Sequence, residues 1–267
     1  MQSQFSRTEL LLGEDALKTL SKKRVAIFGI GGVGGNAAEA LARSGIGELD
    51  LIDNDEVCLS NINRQVFATL DALGEKKVDA AEKRLAEISK ELIIHKHCCF
   101  YLPEERGDID FSQFDYVVDA LDTVSAKIDI VLQAQKAGVP VISALGCGNR
   151  TDPSQLKVCD ISETSGDPLA RVVRRELRKR GVTSLKVVFS EELPVRPLGL
   201  EEMGRSEDGH RRKSPPGSTA FVPPVAGILI AHQVVMDLTS WTKEGRSKPS
   251  KQALDALKEE RSSSLKC

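Results

Sequence analysis

The stretch that most constrains this chain is residues 24–55, RVAIFGIGGVGGNAAEALARSGIGELDLIDND. An apolar run enters a glycine-rich turn, an alanine-rich run follows, and a second apolar run ends on acids. RVAIFG reads as a strand buried on both faces, NAAEALARSG as a helix stopped at Gly45, and ELDLID as the next strand. Gly29, Gly31 and Gly34 fit G-x-G-x-x-G at the strand–helix junction. In such a turn the first glycine permits the tight bend. The second lets a phosphate approach the backbone, and the third lets the helix pack closely. The helix N-terminus then faces an anion. Asp53 closes the second strand, about where an acid meets ribose hydroxyls. The pattern predicts a bound nucleotide, but it does not choose among NAD, FAD and ATP.

The rest of the chain extends the same rhythm. A first helix is predicted over 7–20. GEKKVDAAEKRLAEIS and VSAKIDIVLQAQKAG read as helices, and ELIIHKHCC, DYVVDAL and VPVISALG as strands. This alternation predicts an α/β chain: a Rossmann-like, doubly wound, mostly parallel sheet with helices on both faces and a looser C-terminal extension. Past Gly148, QLKVCDI and SLKVVFS read as strands around the helix DPLARVVRRELRKRG. Residues 197–218 read as a mobile loop, and 224–238 as a buried helix. The expected organisation is one domain over 1–241, its nucleotide-binding part about 7–148 and its substrate-facing part about 149–241. A polar tail follows over 242–267, with a short surface helix near 251–260.

A formal net charge of −2 excludes a polyanion binder in bulk, so any nucleic-acid surface must be a local patch. The N-terminus lacks the pattern of a secretory signal. AFVPPVAGILIAHQVVMDL holds two prolines, His232 and Gln233, and reads as a core helix rather than a membrane span. Six cysteines form no Cys-x-x-Cys pair, so a structural zinc site is not expected and reduced thiols in a cytoplasm are. Cys147 and Cys159 read as small core or loop thiols, His232 as a buried histidine, and Phe221 as a core residue ahead of its other reading, contact with a base. His95 and His97 share a strand face without matching carboxylates, which argues against a metal there.

The deciding stretch is NDEVCLSNINRQVFATLDALGEKKV, directly after Asp53. Asn61, Arg64 and Gln65 are closely spaced where the chain leaves the sheet, and Lys77 stands at the start of the next helix. An arginine and a lysine converging on one crevice suit a triphosphate better than a pyrophosphate diester. VVDALDTVSAK places Asp119 and Asp122 at the end of the fourth strand. A carboxylate there can hold Mg²⁺ against phosphate oxygens. Asp119 reads equally well as a structural acid bonding loop amides.

GIGGVGG, DNDEVCLSNINRQ, GEKKV and DALD occur in that order, and together they resemble the ubiquitin-activating-type adenylating enzymes. That group includes the molybdopterin-synthase and thiamine-thiocarboxylate adenylyltransferases. The resemblance implies ATP-dependent adenylation of a carboxylate with release of pyrophosphate. By motif position it gives Asp53 the ribose, Asn61, Arg64 and Lys77 the phosphates, and Asp122 the Mg²⁺. Asp55 and Gln65 belong to the same nucleotide site. Arg7, in FSRTELLLG, matches an N-terminal arginine that reaches the partner subunit's ATP, which implies a homodimer.

The second half narrows the resemblance. DPLARVVRRELRKRGV, VVFSEELPVRP and GHRRKSPPGSTAFVPPVAG together resemble the tRNA threonylcarbamoyladenosine dehydratases. These cyclise the modified adenosine next to the anticodon by activating its threonyl carboxylate. Arg171, Arg174, Arg175, Arg178, Lys179 and Arg180 concentrate positive charge on one helix, and Arg211, Arg212 and Lys213 add a basic loop, which suits an RNA backbone. Aromatic residues, 4% of the chain, are too few for an extended base-stacking platform. The resemblance also implies a bound monovalent cation, K⁺ or Na⁺, that no sequence feature places, and a sulfur-transfer or cysteine-desulfurase partner system. The alternative is an adenylyltransferase acting on the C-terminal carboxylate of a ubiquitin-like or sulfur-carrier protein.

Overall fold

The structure, a computed structural model, describes residues 3–104, 107–198 and 216–242. Within them, β1 (Arg24–Phe28), β2 (Glu48–Ile52), β3 (Ile93–His97), β4 (Tyr116–Asp119), β5 (Val141–Ala144), β6 (Leu156–Asp160) and β7 (Lys186–Ser190) form one sheet. Its order is β3-β2-β1-β4-β5-β7-β6, and every pairing is parallel except β6 with β7. The helices are α1 (Ser6–Leu12), α2 (Glu14–Leu20), α3 (Gly34–Ser44), α4 (Lys77–Ile88), α5 (Val124–Ala137), α6 (Pro168–Arg178) and α7 (Val222–Thr239).

The doubly wound sheet follows from strands that are apolar on both faces. Along β1, Val25 and Ile27 enter a core with α3, α4 and α7, while Ala26 and Phe28 enter another with α5. Phe28 there stacks on Phe111 and meets Tyr101 edge-on, with centroids 5.5 and 4.9 Å away. A third cluster seats α6 through Ala170, Val173 and Leu177 against Val187, Phe189 and α5. Residues past Gly148 therefore complete the same sheet: β7 pairs with β5, and β6 returns antiparallel along its edge.

Two expectations need correction here. The first helix is two helices, because Gly13, at φ 91°, breaks it and its N–H closes α1 on the Glu9 carbonyl. No residue of α1 is buried. His232 is exposed rather than buried. On α7 the buried positions recur as Val222, Ala226, Ile230 and Val234, which turns His232 and Ile228 outward together. α7 is long and apolar enough to cross a membrane. It nevertheless lies in the core against α3, where Gly227 lets the backbones touch: a Cβ there would stand 2.3 Å from the Val33 carbonyl oxygen. Most of the 197–218 loop, with Arg211, Arg212 and Lys213, and the tail from residue 243 with its helix near 251–260, lie outside the described residues.

β1 sits between β2 and β4, so the chain winds outward to β3 and then crosses back to the other side of β1. The carboxyl ends of β1 and β4 thus flank a topological switch point, where open α/β sheets bind ligands.

Candidate active site

The glycine turn occupies that switch point. Gly29 has φ 90°, which favours glycine, and its N–H bonds the Ile52 carbonyl at 2.8 Å. A Cβ on Gly34 would stand 1.8 Å from the Gly29 carbonyl oxygen, so the fold itself requires that glycine. Gly31 differs, since a Cβ there would meet nothing nearer than Gln65 Nε2 at 3.8 Å. The open backbone at Gly31 is what a phosphate needs. α3 begins without a side-chain cap, and of its first amides the Gly35 N–H is taken by the Gly31 carbonyl at 2.9 Å.

Asp53, nearly buried, ties the acid at the end of β2 to the turn. One carboxylate oxygen accepts the Ile30 N–H at 2.7 Å and the other the Asp55 N–H at 2.9 Å. A carboxylate has about four acceptor positions, so two backbone bonds leave room for sugar hydroxyls. Asp53, Asp55 and Asp122 line one cleft of about 80 Å³ with Phe100, Tyr101 and Thr123. Asp122 is exposed at its rim, held by the Thr123 hydroxyl at 3.4 Å. Among the described residues, no three side chains of His, Cys, Asp and Glu converge as a metal group. One carboxylate that a triphosphate's own oxygens complete is the donor set Mg²⁺ takes in phosphoryl chemistry.

The cations stand on two sides. Lys77, 7% exposed at the start of α4, places Nζ 2.6 Å from Asp55 and 3.8 Å from Asp53. Arg64 runs its stem past Gly32, where a Cβ would lie 3.3 Å from Arg64 Cγ, and its guanidinium bonds the Ser60 carbonyl and Asn63. Gln65 is buried beside Gly31. Asn61 shapes the segment, its carboxamide oxygen accepting the Cys58 N–H at 3.1 Å and its carbonyl the Arg64 and Gln65 N–H groups. Arg7 stands apart from this crevice. Phe5, next to α1, lies against Gly45 at the far end of α3, roughly 16 Å from the glycine turn at 1.5 Å rise per residue.

Of Asp119's two readings, the structure supports the structural one. Asp119 has no exposed surface, and Lys127 Nζ stands 3.0 Å from it. The Ser143 hydroxyl and the Leu121 N–H complete its bonds. Lys127, itself fully buried, also bonds the Ala144 carbonyl at 2.7 Å. This charge cluster clamps β4, β5 and α5 beneath the site. Desolvation pushes the Cys147 thiol up to about 12, so it is no ready nucleophile, and Cys159 is raised for the same reason. His95 and His97 meet carboxylates after all, Glu48 at 2.9 Å and Asp50 at 2.7 Å on the neighbouring strand.

The basic helix divides by role. Arg174 is half-buried, and its guanidinium bonds the Ile161 and Thr164 carbonyls and the Thr164 hydroxyl at 2.6–3.2 Å. It pins the preceding turn through Nη1 and also lines the groove on this face of the helix. Lys179 and Arg180 hold the Glu176 carboxyl down to about 2, so this acid stays ionised and offsets part of their charge. Arg171 and Arg178 are exposed, and with Arg174, Arg175 and Lys179 they line an open groove of about 550 Å³.

A nucleotide crevice of this form on a doubly wound sheet defines a class, and the chain belongs to it: residues 5–266 match the ThiF family. Its similarity within that family lies with the tRNA threonylcarbamoyladenosine dehydratases. The chain is 44% identical over 242 residues to that of Bacillus subtilis, covering 89% of this chain and 95% of that protein. It is 35% identical over 204 residues to that of Escherichia coli, covering 73% and 76%. The solved structure of the E. coli dehydratase in complex with ATP superposes with a TM-score of 0.76 at 30% identity, over 89% of this chain and 94% of that one.

Proposed function

We propose that this protein is an ATP-dependent dehydratase that cyclises threonylcarbamoyladenosine next to the anticodon of tRNA. The observation that carries the reading is the crevice itself. A backbone opened by Gly31 lies between Arg64 on one side and the Lys77–Asp55–Asp53 cluster on the other, beside the cleft that Asp53, Asp55 and Asp122 line. The similarity to dehydratases over most of the chain's length supplies the substrate class.

Asp53 receives the ribose, and Gly31, Asn61, Arg64, Gln65 and Lys77 surround the phosphates. Lys77 brings a charge already desolvated against Asp55, so its field acts through little water. An oxygen of the threonyl carboxylate attacks the α-phosphorus, and the bond to pyrophosphate breaks. A nucleophile of the same carbamoyl side chain then attacks the acyl carbon, losing a proton and expelling AMP with the former carboxylate oxygen. Overall the nucleoside loses the elements of water. No enzyme thiol enters, in keeping with the raised Cys147. Asp122 would hold Mg²⁺, which supplies charge neutralisation at the phosphates. The exposed Arg171 and Arg178 bind the tRNA backbone together with the basic segment Arg211–Lys213. The protein acts in the cytoplasm as a homodimer, with Arg7 reaching the neighbouring subunit's nucleotide.

The test is incubation of purified protein with ATP and threonylcarbamoylated tRNA. The reading requires AMP, pyrophosphate and a nucleoside one water lighter. ADP with inorganic phosphate, or turnover only with the C-terminus of a carrier protein, overturns it.

A further inference from the structure

Only two aromatic side chains among the described residues are strongly exposed: Phe100, in the nucleotide cleft, and Phe221, 60% exposed. The sequence favours a core role for Phe221 over contact with a base, and the structure leaves the residue exposed. It immediately precedes α7, whose apolar face accounts for Val222 and Pro223 but not for it. Leaving a phenyl ring in water forgoes the stabilisation that burial of its apolar surface would provide.

The surroundings of Phe221 are built. Pro223, two residues on, stands 3.1 Å from a Cβ placed on Gly32, and Arg64 flanks the same atom. Ser218 accepts a hydrogen bond from Asn63, the residue beside Arg64, at 3.0 Å. Gly217 bonds Asn149 in both directions at 2.7 Å, and Asn149 belongs to the loop after β5. The short run 216–221 is thus fixed at one foot to the phosphate-gripping segment and at the other to the β5 loop. Phe221 therefore ends a stretch anchored beside the crevice, with its side chain exposed. Eight residues upstream of Phe221 in sequence ends the basic run Arg211–Lys213.

We infer that Phe221 is a stacking platform for an unpaired nucleobase of the tRNA substrate. The inference rests on the tRNA reading above and adds a site to it. A carboxylate attached to a base can reach the α-phosphorus only if that base leaves the anticodon stack. Proteins hold such splayed bases on exposed aromatic faces. Fixed aromatic rings suit this because they lose little freedom on binding. A splayed base gains a π-surface next to the segment that carries Arg64.

The experiment compares the full-length chain with Phe221→Ala, Phe221→Leu and Phe221→Trp. KM for threonylcarbamoylated tRNA should rise about tenfold or more in Phe221→Ala, and nearly as much in Phe221→Leu, which keeps apolar bulk without a ring face. Phe221→Trp should retain the wild-type constant. ATP affinity, read by titration with a fluorescent ATP analogue, should be the same in all four. Trp fluorescence in Phe221→Trp, corrected for Trp241 with the wild type, should be quenched by an anticodon stem-loop carrying the modified base. Equal constants in all variants, full recovery by Leu, or an unquenched Trp overturns the inference. So does a Phe221→Ala effect traced by sedimentation to a changed oligomeric state. If the wild-type protein makes no cyclic product, the proposed function falls, and the quenching still decides the stacking site.

Discussion

Lys127 gives the sharpest test of how the site is supported. Its ammonium has no exposed surface and bonds Asp119, Ser143 and the Ala144 carbonyl. Lys127→Met keeps the volume but leaves the Asp119 carboxylate buried, with only the Ser143 hydroxyl and the Leu121 amide for company. Breaking one side of a buried pair costs about 3–5 kcal/mol, because the remaining charge is neither solvated nor paired. Most of that cost lies in the stranded charge. Lys127→Met combined with Asp119→Asn should therefore be less damaging than the sum of the single changes, with a coupling of about 1–3 kcal/mol. Urea unfolding of the four proteins at pH 7 measures this. A single variant within about 1 kcal/mol of wild type, or strictly additive changes, would refute the reasoning. A stable Lys127→Met protein that had lost ATP would instead restore Asp119 to the nucleotide.

Gly34→Ala should fail to fold, since its Cβ would meet the Gly29 carbonyl oxygen at 1.8 Å. Gly31→Ala should fold normally and bind ATP at least tenfold more weakly, as read by circular dichroism and ATP titration. Arg174→Ala should lower stability by about 1–3 kcal/mol through the stranded Thr164 and Ile161 acceptors. Arg178→Ala should leave stability alone and reduce the slope of log affinity against log salt for tRNA by about one; a matching stability loss in Arg178→Ala would remove it from the RNA surface. Burial alone would raise the Asp50 carboxyl, but hydrogen bonds from His97 and Arg24 outweigh it and hold it below the usual range. Its folded value thus lies beneath the unfolded value of about 3.9, so its stabilisation is present above that value and lost as pH falls through the folded one. Unfolding free energy should drop on acidification below about pH 4, and the drop should be shallower in Asp50→Asn.

The sheet and its crevice were legible because their signals are local. Uninterrupted apolar runs mark β1, β4 and β5, and a glycine turn between strand and helix has few structural uses. Asp53, Arg64 and Lys77 could be named because spacing puts them at strand and helix ends on one edge of the sheet. Long-range pairing was not legible. Nothing in VSAKID tells that Lys127 turns inward to Asp119, since a lysine at that position suits a solvated face equally well. Arg174 and Arg178 look alike in sequence; one turn of helix separates a half-buried clamp from an exposed cation. The outward turn of His232 is not legible because α7 is apolar nearly all round, so its pattern does not say which face is outward. Gly13 signalled its break only through a positive φ that sequence does not display.

The central claim is that the threonyl carboxylate strikes the α-phosphorus of ATP, and the fate of an oxygen atom tests it directly. Threonylcarbamoylated tRNA carrying heavy oxygen in that carboxylate is turned over with unlabelled ATP, and the products are weighed. The account predicts one heavy oxygen in AMP and none in pyrophosphate. Heavy oxygen in inorganic phosphate, or AMP formed without label, would contradict it.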